Sequence, residues 1–403
     1  EAPASRERDP DPPEQALRGS LRTIHGQRVL QLRGSPREMG FAHGALLRDD
    51  ILRVVSGYVL ADIPSATFNA FAGVFAAVAD IDPALREEAE GLLAGMEHAG
   101  GAHVEALGRA LTPSDLLLMN AMTDLVAIGC SSLSTWGDAT RDDPALAGEL
   151  AIVRNLDWSS NPALLESQVI IAYAPSDPQS QPLVSVAFAG YIGCLSCMNA
   201  AGVGALFNMG YGDGHASLAE AAAGFAPANL LLRRALQARD VDGDGRSTAD
   251  DVARALADGR HAGSYIVHLV EPNRVASELG RAPARVVEVE ADGVAARGPE
   301  ADARLGPHAL AATNHLRARA TPTSCGRYQR LERGLAASGA RVDRERLWSL
   351  GESTRIERDV VHTLMLVPER RALSLRARAP GRSMADSPAR VDHRWDELFA
   401  DAP

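Results

Sequence analysis

Three observations predict an α+β protein. From Ser35 to about Ile128 the apolar residues recur at helical spacing, whereas after Gly129 short β-rich runs follow one another between Gly, Pro, Ser and Asn clusters. Beyond Pro227 helices return, and a hairpin-like pair of strands closes the chain. The 403 residues are 46% apolar and 23% charged, the balance of a globular chain with a large core available.

The elements follow in order. Glu1 to Glu14 is rich in Pro, Asp and Arg with little to bury, so residues 1–16 read as a disordered tether. The chain opens on Glu rather than Met, as it would after removal of a signal segment, and an extracytoplasmic location is the expectation. Ser35-Pro36-Arg37-Glu38 has the form of a capping box with Pro at the first helical position. Pro83 to Met96 carries Leu85, Ala89, Leu92, Leu93 and Met96 on one face, and Leu116 to Leu125 is apolar over most of its circumference. Strand runs are expected at Leu150 to Arg154, Gln168 to Ala172, Leu183 to Ala187 and Val203 to Phe207. Helices are expected at Leu218 to Ala223, Ala228 to Arg239 and Tyr328 to Ala337. His362 to Val367 and Ala372 to Arg376 form the closing pair, joined through Pro368-Glu369-Arg370. The reading divides the chain into the tether, a helical unit over 17–129 and a strand-rich unit over 130–403 with an insertion near 230–256.

Composition excludes several function classes. The 41 basic and 52 acidic residues leave a net charge of −11, so a nucleic-acid backbone is repelled. Every one of the 41 cations is arginine, which removes lysine Schiff-base chemistry and the phosphate-binding loop that ends in Gly-Lys-Ser/Thr. No apolar run reaches the roughly 18 to 20 residues that span a bilayer, so a soluble chain is expected. G-x-S-x-G, H-E-x-x-H and G-x-G-x-x-G motifs are all missing. The four cysteines, Cys130, Cys194, Cys197 and Cys325, lack the second pair or clustered histidines of a zinc site. One disulfide among the last three and plain burial as small apolar residues both stay open.

What remains is Gly129-Cys130-Ser131-Ser132 at the junction of the two units, followed by Val153-Arg154-Asn155-Leu156-Asp157-Trp158 at the end of an apolar run. With these blocks the chain resembles the N-terminal-nucleophile cysteine hydrolases: choloylglycine hydrolases, acid-ceramidase-like amidases and the autoproteolytic family of isopenicillin N acyltransferase. Met198 to Gly204 with Leu206-Phe207-Asn208-Met209-Gly210-Tyr211, then Thr313-Asn314-His315, then Ser324-Cys325-Gly326-Arg327 resemble further blocks of that family, in family order. The resemblance covers Cys130 to about Phe399 and, more weakly, the helical part, where Gly40 and Gly44 fit the precursor pattern. It implies a four-layer αββα sandwich, a pro-segment over 17–129 and self-cleavage before Cys130.

The residue types suit that chemistry. Arg154 favours the Cys130 thiolate. A freed α-amino group, with an ordinary pKa of about 7.7 to 8.0, supplies a base on the same residue. Asp157 holds that amine, Asn208 donates to the oxyanion, and Asn314 and Arg327 orient the new terminus and the substrate carbonyl. No catalytic cofactor is needed. The expected reaction is hydrolysis of a small-molecule linear N-acyl amide through a thioester on Cys130, with acyl transfer to an amine as the alternative. Because aromatics make up only 4% of the chain, the expected pocket lining is Leu, Val, Ala and a few Phe.

A second motif runs from Asp240 to Asp251. Asp240, Asp242 and Asp244 at positions one, three and five, Gly245 at six, the Arg246 carbonyl at seven and Asp251 at twelve match an EF-hand-type or dockerin-like calcium loop between apolar helical runs. A structural calcium ion is the expectation, and a calcium-dependent binding module is the rival reading from another class.

Overall fold

A computed structural model describes residues 17–122, 129–320 and 324–400. The expected tether, residues 1–16, and the end of the helical run Leu116 to Leu125 lie outside these. Seventeen strands are described: β1 (Gly19–Ile24), β2 (Gln27–Gly34), β3 (His103–Val104), β4 (Arg109–Ala110), β5 (Gly129–Thr135), β6 (Ala151–Asp157), β7 (Gln168–Pro175), β8 (Leu183–Phe188) and β9 (Ser196–Asn199). β10 (Gly204–Met209), β11 (Tyr265–Val270), β12 (Ala284–Glu290), β13 (Gly293–Arg297), β14 (Ala309–Ala312), β15 (Val360–Val367), β16 (Ala372–Ala377) and β17 (Val391–His393) follow. Nine of them form one sheet in the order β1-β2-β7-β8-β9-β10-β11-β12-β13, and six form another in the order β14-β5-β6-β15-β16-β17. β3 and β4 make a separate ribbon.

The two sheets face each other. Ile170, Val186, Leu206 and Val286 of the larger sheet share one apolar core with Ile152, Leu310, Leu364 and Leu375 of the smaller. The outer face of the larger sheet is covered by the helices Pro36–Val54, Pro83–His98, Pro113–Ala121 and Ala228–Gln237, through Leu47, Leu92, Leu117 and Leu232. On the outer face of the smaller sheet, Leu133, Val153 and Met365 pack against Leu331 and Leu347 from the helices Gly326–Ala336 and Arg344–Glu352. The layers therefore run helix, sheet, sheet, helix, the αββα order that the resemblance implies. Both faces of each sheet are covered, and strands such as β10, β11 and β15 are buried at every position.

One expectation is corrected. The segment 17–129 does not begin as helix: its residues 19–34 form the antiparallel β1–β2 hairpin, and β2 lies parallel to β7 in the larger sheet. Gln27-Arg28-Val29-Leu30-Gln31-Leu32 carries only a short apolar run, whose Val29, Leu30 and Leu32 are fully buried. The helix Pro36–Val54 then starts at the expected cap, with Ser35 and Glu38 bonding reciprocally. No single described helix is long and apolar enough to cross a membrane, though the bent pair Pro36–Asp62 and Ser65–Val78 passes that test together.

The glycines of this segment have a packing reason. Gly40 and Gly44 on the helix Pro36–Val54 approach the main chain of the helix Pro83–His98, and Gly91 and Gly95 approach that of Pro36–Val54 in return. A Cβ on Gly44 would overlap the Leu92 carbonyl, and one on Gly95 would overlap that of Phe41. The obstacle is main chain on both sides and cannot rotate away. Gly44→Ala is therefore expected to destabilise the protein by about 3 kcal/mol, the upper end of overpacking costs. Gly73→Ala, on an exposed helical site with open space around it, should be neutral or stabilising by up to about 1 kcal/mol. Urea unfolding of both variants checks the contrast, and equal effects would refute the packing account.

Candidate active site

Cys130 is the second residue of β5, and antiparallel pairing sets the site's geometry. Cys130 stands opposite Leu156, Ser132 opposite Arg154, and Gly129 opposite Asp157. Because strand side chains alternate between faces, Cys130, Ser132 and Arg154 share the face turned toward the larger sheet. Arg154 is fully buried and crosses between the sheets. One guanidinium nitrogen donates to Ser196 Oγ on β9, and the other donates to the Phe207 carbonyl on β10 (2.6 Å) and to Cys130 Sγ (3.2 Å).

The other expected residues converge on the backbone of Cys130. Its N–H donates to Asn314 Oδ1 (3.0 Å), just past β14. Its carbonyl accepts from Arg327 (2.8 Å), on the first turn of the helix Gly326–Ala336. Arg327 also donates to Asn314 Oδ1 (2.6 Å) and lies 3.6 Å from Asp157. Asn314 is held in turn by donating to the Met209 carbonyl (2.8 Å). Asn208, on β10 one residue beyond the Phe207 carbonyl that Arg154 grips, donates through Nδ2 to the Thr313 carbonyl (3.1 Å). An amide NH2 has two hydrogens, so this bond leaves Asn208 a second donor. All six expected catalytic residues, Cys130, Arg154, Asp157, Asn208, Asn314 and Arg327, thus form one connected cluster.

Electrostatics modify one expectation. Burial pushes the Cys130 thiol above its ordinary value; Arg154 and Arg327 pull it down, while Asp157 adds to the rise. Arg154 moderates the cost of a thiolate here but does not outweigh burial. Burial also raises Asp157 to about 7, against the pull of Arg327 and Arg154.

Several neighbours carried no recognisable sequence signal. Ser196 could be found only through its partner on another sheet. His362 on β15 is fully buried, has among the described residues no hydrogen bond to either ring nitrogen, and is held well below its ordinary pKa by burial and by Arg154. Its one signal is a histidine inside an apolar strand run. Ser132 and Ser134 bond the two ring nitrogens of His268 (2.9 and 3.0 Å), a second polar bridge between the sheets. Past Asp157, Trp158 lines an apolar pocket with Tyr58, Met119, Phe188 and Tyr191. That lining is more aromatic than the Leu, Val and Ala expected from composition. The pairing question is also answered: Cys194 and Cys197 form a disulfide, and Cys325 is a free, buried thiol beside Thr313.

The acidic loop lies between the helices Ala228–Gln237 and Ala249–Asp258, as a helix–loop–helix needs. Carboxylate oxygens of Asp240, Asp242 and Asp244 lie within 4.8 Å of one another on the surface, which suits a hard cation. Asp251 is a correction to the expected ligand set. It is buried, with one oxygen accepting from the backbone N–H of Val241 and Asp242 and the other from Thr248, closing a capping box. At the third position of a helix its carboxylate is claimed by the helix start. The Arg246 N–H donates to Asp244 Oδ1 (2.8 Å), and its side chain lies 3.8 Å from Glu278.

No family model matches the chain. Among curated proteins, Protein dcd1B of Dictyostelium discoideum is 25% identical over 189 residues, 42% of this chain; the match spans 35% of that protein's length. Among solved structures, the Caenorhabditis elegans N-acylethanolamine-hydrolyzing acid amidase ortholog aligns with a TM-score of 0.44 and 13% identity, covering 59% of this chain and 93% of that one. Penicillin V acylase from Agrobacterium tumefaciens aligns with a TM-score of 0.41 and 11% identity, covering 67% and 87%. A conjugated bile acid hydrolase from Clostridium perfringens aligns with a TM-score of 0.35 and 10% identity, covering 67% and 95%.

The raised carboxyl of Asp157 makes a prediction about stability. Its folded pKa of about 7 lies above the ordinary value of about 3.9, so the folded state binds the proton more tightly than the unfolded one. The ionised form is therefore a penalty that is missing below about pH 4, grows through the interval and is complete above about pH 7. Asp157→Asn should raise the melting temperature relative to wild type at pH 8 and lose most of that advantage at pH 4. Thermal unfolding at the two pH values checks it, and an advantage that is larger at pH 4 would reverse the assignment.

Proposed function

We propose that this protein is a cysteine amidohydrolase that cleaves a linear N-acyl amide through a thioester on Cys130. The observation that carries the reading is the closure of Arg154, Asn314, Arg327 and Asp157 around one thiol and its own backbone N–H. A calcium-dependent binding module has no use for that arrangement. Resemblance to the N-terminal-nucleophile hydrolases supports the same class.

In this reading the bond before Cys130 is cut first. The nitrogen now bonded to Asn314 Oδ1 then becomes a free amine at the position already built to hold it. That amine takes the thiol proton as sulfur attacks the substrate carbonyl, and the oxyanion is met by the second N–H of Asn208 together with a backbone N–H. The amine fragment leaves with the proton, and water resolves the thioester to a carboxylic acid, regenerating the thiol. An amine in place of water gives acyl transfer from the same intermediate. Trp158, the residue after Asp157 at the end of β6, lines a small apolar pocket of about 30 Å³ and brings apolar surface next to the cluster. An oxidising, extracytoplasmic location accords with the Cys194–Cys197 disulfide.

Mass spectrometry of the purified protein should find two fragments meeting at Gly129–Cys130, of 129 and 274 residues on this numbering (403 − 129). Cys130→Ala should stay intact and should lose turnover of a panel of N-acyl amides by at least about a thousandfold, the scale of losing a covalent nucleophile. Processing of that variant at the same bond would refute self-cleavage, and undiminished turnover would refute the thioester.

We also propose that Asp240, Asp242 and Asp244 hold a structural calcium ion remote from the chemistry. An ion bound only by the folded state stabilises it by about 2.7 kcal/mol at a hundred times its Kd. Calcium should therefore raise the melting temperature of metal-free protein, Asp240→Ala with Asp242→Ala should abolish that response, and turnover at low temperature should not change. A melting curve indifferent to calcium would leave the loop an acidic turn.

A further inference from the structure

We infer that the Cys194–Cys197 disulfide is a positioning device for the nucleophile: it fixes the loop from which both neutral acceptors of the Arg154 guanidinium are held. This rests on the reading of Cys130 as the reacting thiol.

The loop is short and tied at every point. Cys194 and Cys197 are bridged with their Cα atoms 5.8 Å apart, both fully buried. The Cys194 N–H donates to the Asn229 carbonyl (3.0 Å) on the helix Ala228–Gln237, and Cys197 pairs with Ser185 on β8. Between the two sulfurs lie Leu195 and Ser196. Ser196 Oγ accepts one arm of Arg154. The Leu195 carbonyl accepts the N–H of Phe207 (2.9 Å), and the Phe207 carbonyl accepts the other arm. Two residues enclosed by one bridge thus set both ends of the guanidinium plane, and Cys130 Sγ takes a hydrogen of the arm on Phe207.

Chemistry explains why the hold must be rigid. Among the described residues Arg154 makes no ion pair, so no carboxylate pins its plane, and its Nε has no hydrogen bond. A hydroxyl and a carbonyl leave the positive charge uncancelled, so it can act on the sulfur. They also pull on the guanidinium less than a carboxylate would, and a loop free to breathe would let the plane turn from the thiol. The bridge removes that freedom. In this respect Ser196 acts on the reaction only through Arg154, as a positioning residue.

The thiol's titration reads the device directly. Facing Cys130 are Arg154 and Asp157 from β6, Arg327 from the helix Gly326–Ala336 and Tyr211 beyond β10. His362 from β15 lies beside Arg154, and His315 beside Arg327. None of these is altered by the variants proposed here. The experiment measures the rate of iodoacetamide alkylation at Cys130, by peptide mass spectrometry, across about pH 5 to 10, on the protein as purified. Ser196→Ala should move the alkylation midpoint upward by about one unit, slowing the reaction at pH 7 about tenfold. Ser196→Thr, which keeps the hydroxyl, should restore it, and Cys194→Ser with Cys197→Ser should shift the midpoint in the same direction as Ser196→Ala. Turnover should fall in kcat with KM unchanged. A purely structural bridge would lower the melting temperature and leave the midpoint where it is in wild type. That outcome, in either Ser196→Ala or the double variant, overturns the inference. It is separable from failure of the amidase reading, because Cys130→Ala with full turnover would sink that reading while the midpoint shift could still be measured.

Discussion

The buried guanidinium of Arg154 spans the space between the two sheets of this protein. Taking an arginine out of water is costly by several kcal/mol even after relaxation, and the usual remedy is a carboxylate. Arg154 instead meets a hydroxyl, a main-chain carbonyl and a thiol, contributed by β9, β10 and β5. The first two, on the larger sheet, can satisfy it only if the sheets face one another at the observed separation and register. A slip of β6 by one residue would turn Arg154 toward the outer helices and put Asn155 between the sheets. Asn155 already has its own partners on that outer side, Ser131, Thr354 and the Gly351 carbonyl, which makes the slip costly twice over.

The same burial that makes Arg154 necessary also works against it at the nucleophile. A thiol in a dry site resists ionisation, and the cation beside it only reduces that resistance. Asp157, pushed toward neutrality, is in the complementary position, a carboxyl ready to hold or release a proton near pH 7. A site with a reluctant thiolate favours proton transfer concerted with attack, and an amine on the same residue needs no diffusing base. Asn314 connects the pieces: one carbonyl oxygen accepts from Cys130 N and from Arg327, and the amide nitrogen anchors the pair to β10. Fixing the backbone N–H and the carbonyl of Cys130 together leaves its side chain as the main moving part.

Much of this site was legible because its residues break local rules. A charged Arg and Asp inside an apolar strand, a Cys after Gly at a change of periodicity and an Asn closing a strand are each ordinary alone; their order along the chain made them a set. Ser196 was not legible, since a serine in a strand carries no mark of a partner 42 residues away. The β1–β2 hairpin is not legible because β2 lacks polar–apolar alternation and its short apolar run stands directly before a strongly capped helix. Asp251 fits the twelfth position of a calcium loop and the third position of a capped helix equally well in sequence. The helix start determines its geometry here, since Thr248 and the first loop amides occupy both of its oxygens. The aromatic lining near Trp158 comes from three distant segments, which a composition of 4% aromatics cannot reveal.

The position of the amino-terminal segment determines what a cut before Cys130 would do. β2 lies parallel to β7 across six residue pairs, from Val29 with Ile170 to Gly34 with Pro175. The helices Pro36–Val54 and Pro83–His98 lock through their glycines and bury Leu47, Ile51 and Leu92 in the same core as Phe188, Leu195 and Phe207. Parallel pairing needs a long crossover, and here it runs through the helical segment and the β5–β6 hairpin, so the bond before Cys130 lies within the connection. Breaking one peptide bond there leaves all of these contacts in place, and the two fragments stay one folded body. Such a cut would therefore change the chemistry of one nitrogen, from an amide with no basicity to an amine poised near neutrality.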